Sequence, residues 1–235
     1  MTWFAKPSGG YGYASDEGKS NIFEMYAYFK DNGYTDEAIT GIIANASAES
    51  GLNPWRWQGD VYNQNGGYGL FQYTPASQYI SDAVDVPFYS PNLSVTEVTS
   101  GATVYDGIAQ MDVFHNNRLF KWSGYCWRSY WDTTEYSELY SVRNTIITKY
   151  GNGTSLSMEQ FSQIDNAYYA TFAFLACFEG PLVPNMSTRY EYAEDIYEII
   201  TGERPPAPRP PKNRQRKQFL NSKWAIYYAK KLRTG

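Results

Sequence analysis

Apolar residues recur every three to four positions through much of the first 202 residues, the period of helices with one buried face. In SNIFEMYAYFKDNG, Phe23, Tyr26 and Phe29 share a face, Ser20 is a candidate N-cap and Gly33 a stop. Thr35 caps the next segment, DEAITGIIANASAES, whose first-turn acids suit the helix dipole and whose Ile39, Ile42, Ile43 and Ala46 form an apolar stripe. Val104, Ile108, Met111 and Phe114 keep helical spacing in VTSGATVYDGIAQMDVFHNNRLF. SELYSVRNTIITKYG continues the pattern, followed by SMEQFSQIDNAYYATFAFLACF with Ser157 and Gln160 as a capping box, and by STRYEYAEDIYEIITG, which stops at Gly202. Between residues 51 and 68 the helical period disappears. Gly, Asn, Gln and Trp dominate there, NQNGG signals a turn, and a short hairpin or loop is predicted. In GGYGLFQYTPASQY the glycines permit close backbone approach, and Thr74 and Pro75 are set to cap and start another helix. The fold class that follows is α+β, mostly α-helical, with one small β-hairpin.

Charge divides the chain. Residues 1–202 hold 10 Lys and Arg against 23 Asp and Glu, a net of −13, whereas residues 203–235 hold 10 against one, a net of +9. Five prolines at 205–211 forbid helix at the join and favour an extended spacer. The expected organisation is an acidic body, 1–202, and a Pro-rich linker with a basic tail, 203–235. In the tail Phe219, Trp224, Tyr227 and Tyr228 among lysines suit a short amphipathic helix that docks to an acidic partner protein, or to a polyanionic cell-wall polymer or membrane, although a solvated or disordered tail fits the same composition.

Composition narrows the chemistry further. Aromatic residues make up 18% of the chain, which suggests faces that stack on sugars. Trp122, Trp127, Tyr130 and Trp131 concentrate in one loop that suits either a cleft wall or core packing. No apolar run reaches membrane-spanning length, so stable membrane insertion is not expected. MTWFAKPSGG lacks the basic start and apolar stretch of a secretory signal. A single histidine, His115, excludes two-histidine zinc sites, and neither a metal nor a cofactor is expected. A Cys/His peptidase built on Cys126 and His115 is the competing enzyme, disfavoured because His115 precedes the cysteines. Cys126 and Cys177 are expected to be reduced. Phosphate-cradling glycine motifs are missing, and the acidic body argues against nucleic acid.

Glu49 is the residue with the most chemistry to offer. It follows Ile42 by seven positions and Ala46 by three, at the edge of the buried stripe and near the helix C-terminus. Partial burial and the negative helix end both favour its neutral form, the state a general acid for glycosidic cleavage requires. Spacing alone leaves open a solvated glutamate at a frayed end. Asp60, the one acid between Glu49 and Gly69, suits a general base, a stabiliser of developing positive charge, or a turn aspartate bonded to its own backbone.

Glu49 and Ser50, followed by GLFQYTP at 69–75, resemble the ES and GLFQ pair of the lysozyme-like superfamily, which includes goose-type lysozymes and lytic transglycosylases. The wider stretch AITGIIANASAESGLNP to GGYGLFQYTP looks most like the bacteriophage tail lysozyme family, most closely over residues 35–80. The resemblance implies a lysozyme-like domain that cleaves the glycan strand of peptidoglycan, with Glu49 as catalytic acid. It also implies a sugar-binding floor of Tyr68, Gly69, Leu70, Phe71, Gln72 and Tyr73, with Gln72 facing the sugar. In NAYYATFAFLACFEGP it implies a tyrosine near the acid, Tyr168 or Tyr169; core packing suits most of the aromatics there, and Glu179 reads as a structural helix-end partner. The implied setting is a virion tail, or the host cytoplasm before release, with other tail proteins bound through the basic tail. An endolysin made for host lysis, a lytic transglycosylase and a non-catalytic tail or wall-binding protein are the alternatives.

Overall fold

The computed structural model describes residues 3–95, 106–116, 137–153, 155–180 and 184–206. Ser15 begins α1 (Asp16–Asp31): its hydroxyl accepts from the Gly18 N–H, and Asp16 and Glu17 occupy the positive first turn. Ser20, expected as the cap, is instead within the helix, because Ser15 with two acids behind it is the better start. The buried face is correspondingly Ile22, Met25 and Phe29, with Phe23 and Tyr26 half-buried beside it.

Helix α2 (Asp36–Ser50) starts as expected, with Thr35 Oγ1 accepting from Ala38 N–H, and ends at Gly51, whose φ of 60° closes the helix in the left-handed region. It is enclosed by α1, α6 (Met158–Ser162), α7 (Ala167–Phe174) and α8 (Met186–Thr201), and is buried from Ala38 to Ser47. Closest approach is to α7: a Cβ on Gly41 would lie 2.5 Å from the Ala170 carbonyl carbon, so only glycine admits this packing. The remaining helices are α3 (Ala76–Ala83), α4 (Asp106–His115) and α5 (Ser137–Lys149). Ile108, Met111 and Phe114 of α4 face the core as predicted; Val104 lies outside the described residues.

Two predicted elements differ. The described residues contain no strand, only isolated antiparallel bridges pairing Trp57 with Tyr68 and Tyr68 with Tyr73, so the expected hairpin is a knot of turns. Positive φ at Gly59, Asp60, Gly69 and Gln72 reverses the chain too often for a strand to extend. Nor does Thr74 cap α3: its hydroxyl donates back to Gln72 O at 2.9 Å, and Pro75 precedes the helix without a side-chain bond.

The segment 157–179 also breaks where one helix was expected. Ser157 and Gln160 do form the capping box, but α6 ends at Ser162, and Asn166 restarts the chain by accepting from Tyr169 N–H. After α7 the backbone widens to a π-helical turn, Leu175–Glu179, closed by Gly180 at φ 53°. Gly202, at φ 78°, stops α8 as predicted. Among the described residues no helix is long and apolar enough to cross a membrane.

Candidate active site

Glu49 stands in the last turn of α2, a turn without a basic residue to offset the helix end. Its cation comes from α8. Arg189 Nη2 donates to Glu49 Oε1 at 2.5 Å while Nη1 donates to Asn45 Oδ1 at 2.8 Å. Asn45 in turn donates to Gly41 O and to Thr171 O of α7, so one guanidinium and one amide tie three helices at the acid. The Glu49 side chain keeps 23% of its surface accessible against 9% for Arg189. Burial and the helix end are therefore joined at Glu49 by an ion pair from a distant helix.

The acid opens on a cleft of about 590 Å³. Its lining draws Phe71, Gln72, Tyr73, Thr74, Pro75 and Gln78 from the GLFQYTP segment and the start of α3, Arg56, Gln58 and Gly59 from the preceding turn, and Phe178 and Glu179 from the π-helical turn. Glu179 is brought there by the π-helical turn. Burial, and next the negative charge of Glu49, push its carboxyl well above the usual 4.5, with Arg189 pulling the other way.

Beneath the cleft runs a buried polar bracket from α4. Gln110 Oε1 accepts from Leu70 N–H at 2.6 Å, and its Nε2 donates to Pro54 O and Asp106 Oδ2, both at 2.7 Å. Asp106 also accepts from Tyr68 and Tyr79 hydroxyls at 3.0 and 2.8 Å and from Ser90 N–H at 3.2 Å. Tyr73 donates its hydroxyl to Gln110 O at 2.7 Å. Burial raises the Asp106 carboxyl from 3.8 to about 6 even though these donors oppose the shift.

The bracket sorts the predicted floor into two kinds of residue. Phe71, Gln72 and Tyr73 line the cleft, and the Gln72 amide is held by donating to Arg56 O and Gly69 O at 3.1 and 3.0 Å. Tyr68, Gly69 and Leu70 lie outside the lining. Tyr68 is fully buried, its hydroxyl bound to Asp106 and accepting from Asn92 N–H, and Leu70 is buried behind Gln110. Gly69 has φ +80°, and a Cβ there would fall 2.2 Å from Gln110 Oε1.

Asp60 also lies outside the lining. Its Oδ1 accepts from Gly9 N–H at 2.7 Å and faces Arg56 Nε at 3.7 Å, fastening the N-terminal loop to the turn. Tyr169 is half-buried against the core, and Tyr168 gives its hydroxyl to Glu194 at 2.7 Å, so neither borders the cleft. The His115 ring meets the Tyr34 hydroxyl at 3.1 Å. Cys177 is buried, and Cys126 with the aromatic loop 122–131 lies outside the described residues. No group of three or more His, Cys, Asp or Glu suited to a metal occurs among the described residues.

Arg189, Asp106 and Gln110 were not among the expected site residues, although the sequence holds a signal for each. Arg189 occupies the buried stripe of α8 with Met186, Ala193 and Ile196, and Asp106 and Gln110 share the buried face of α4. A charged residue in an apolar stripe calls for a buried partner.

The sequence profile of a family described as phage tail lysozyme matches residues 20–200. Morphogenesis protein 1 of Bacillus phage B103 is 26% identical over 176 residues, which cover 74% of this chain and 38% of that protein. The chain thus spans well under half the length of that relative.

Proposed function

The chain belongs to the phage tail lysozyme family, and from that premise we propose that it cleaves the glycan strand of bacterial peptidoglycan, with Glu49 as general acid. The observation that carries the proposal is the position of Glu49: a half-buried carboxyl at the wall of a cleft, oriented by Arg189 and facing a floor of Phe71, Gln72 and Tyr73. Arg189 occupies Oε1, leaving Oε2 for the glycosidic oxygen. Glu49 gives its proton to that oxygen as the C–O bond breaks, and the sugar ring takes up positive charge. Water then adds its hydroxyl to the anomeric carbon and returns a proton to Glu49. Asp60, with Oδ1 engaged by Gly9 and Arg56, serves in this scheme as an anchor of the cleft rim.

The relative's name, a morphogenesis protein, supports action from within the virion. There the basic segment 203–235 would attach the acidic body to an acidic partner. The test is solubilisation of purified peptidoglycan by wild type and Glu49→Gln, with circular dichroism as the check on folding. Loss of at least about a hundredfold is expected from removing the proton donor; undiminished cleavage by the folded variant overturns the assignment. Mass spectrometry of the products should find reducing ends, whereas anhydro ends would assign a transglycosylase.

A further inference from the structure

Two carboxyl groups line the cleft and one guanidinium pairs with the first of them, each from a different element: Glu49 from the end of α2, Glu179 from the π-helical turn and Arg189 from α8. One cation balances one anion. Arg189 spends Nη2 on Glu49 and Nη1 on Asn45, and its Nε is a buried donor without a hydrogen-bond partner among the described residues. Glu179 Oε1 is a buried acceptor in the same condition. Two complementary unsatisfied atoms beside one ion pair are costly unless the carboxyl is neutral or the charge is shared.

We propose that Glu49 and Glu179 are a coupled pair holding one proton, that the proton rests on Glu179 in the empty cleft, and that Glu179 acts through Glu49 by setting the pH range of proton donation. The inference rests on Glu49 being the acid. When a glycosidic oxygen enters, the proton passes from Glu179 to Glu49, and the guanidinium, whose Nε is uncommitted, supports the carboxylate that Glu179 becomes. Glu49 releases the proton to the leaving oxygen as the C–O bond breaks, and the proton returned by water restores the pair.

Among the described residues the charged or titratable groups that act on Glu179 or share its cleft are Glu49 from α2, Arg189 from α8, the Tyr73 hydroxyl from the floor and Arg56 of the cleft lining. The elevation of the Glu179 carboxyl, due first to burial and then to Glu49, agrees with the geometry. Tyr73, itself raised by burial and by Glu179, remains neutral and donates to Gln110.

The test uses the full chain in two measurements. Rates on purified peptidoglycan across pH should show the alkaline limb of Glu179→Gln lying about one pH unit or more below that of wild type, because the proton is no longer held in the cleft by a second carboxyl. Independently, carbon-13 NMR of carboxyl-labelled glutamates should place the Glu179 titration far above that of an exposed glutamate and lower it in Glu49→Gln. An unshifted alkaline limb, or a Glu179 titration indifferent to Glu49→Gln, overturns the pair. A Glu49→Gln protein that still cleaves overturns instead the assignment of the acid, and the two failures are separable because the NMR reading needs no activity.

Discussion

Asp106 offers the sharpest quantitative check on the bracket beneath the cleft. Its two oxygens serve four donors: Tyr79 and Ser90 on Oδ1, Tyr68 and Gln110 on Oδ2. In Asp106→Asn one oxygen becomes an NH₂ group. A hydroxyl rotates to accept from it, but the Gln110 Nε2 donor does not, so one buried donor is stranded at a cost of about 1–3 kcal/mol. The pH dependence adds a second, independent quantity. Folded Asp106 keeps its proton up to about pH 6, while the unfolded residue loses it near 3.8. Between those values the folded chain binds more protons, so rising pH drains stability from wild type, by about 3 kcal/mol at roughly 1.4 kcal/mol per pH unit. The variant lacks this group. Its deficit relative to wild type should therefore be largest near pH 4 and shrink by about 3 kcal/mol by pH 7.5. Urea unfolding followed by tryptophan fluorescence measures both curves, and the titration of groups shared by the two proteins, Glu179 included, cancels in the difference. A deficit that stays constant with pH, or widens toward neutrality, would show that the donors outweigh burial and refute the reasoning.

Two further outcomes are expected. Gly69→Ala combines a side chain at φ +80° with a contact of 2.2 Å to Gln110 Oε1, so the Gln110 amide has to abandon the bond its Oε1 accepts from Leu70 N–H and those its Nε2 donates to Pro54 O and Asp106; the sum is about 4 kcal/mol, seen as a Tm roughly 10 °C lower, and a shift under a few degrees would contradict it. Deleting residues 203–235 should leave peptidoglycan cleavage intact while lowering the amount of protein retained in assembled virions, and equal retention would remove the attachment role.

What the sequence made legible follows from range. The cap at Thr35, the stripe Ile39, Ile42, Ile43 and Ala46, the capping box at Ser157 and the stop at Gly202 all depend on neighbours within a few positions, and all appear in the structure. The loop at 51–75 did not become a hairpin, because its conformation is set by buried groups 35 to 56 positions away: Asn92 accepting from Trp57, Gln110 gripping Leu70 and Pro54. Periodicity also treats each turn of helix as equal, so it read the segment from Met158 to Glu179 as one helix and missed the widened turn that carries Glu179 to the cleft. Glu49 was legible as a half-buried acid. Its cation was not, since Arg189 lies 140 positions away and no local pattern links them.

The Arg189 contact also decides how small this protein can be made. A fragment ending before Met186 would keep the motif residues and the floor, yet strip Glu49 of its Arg189 partner and leave one side of α2 bare. Such a fragment is expected to misfold or aggregate, however complete its motifs. When this unit is excised, grafted into a longer chain or fused to another module, the cut belongs after the stop of α8 at Gly202.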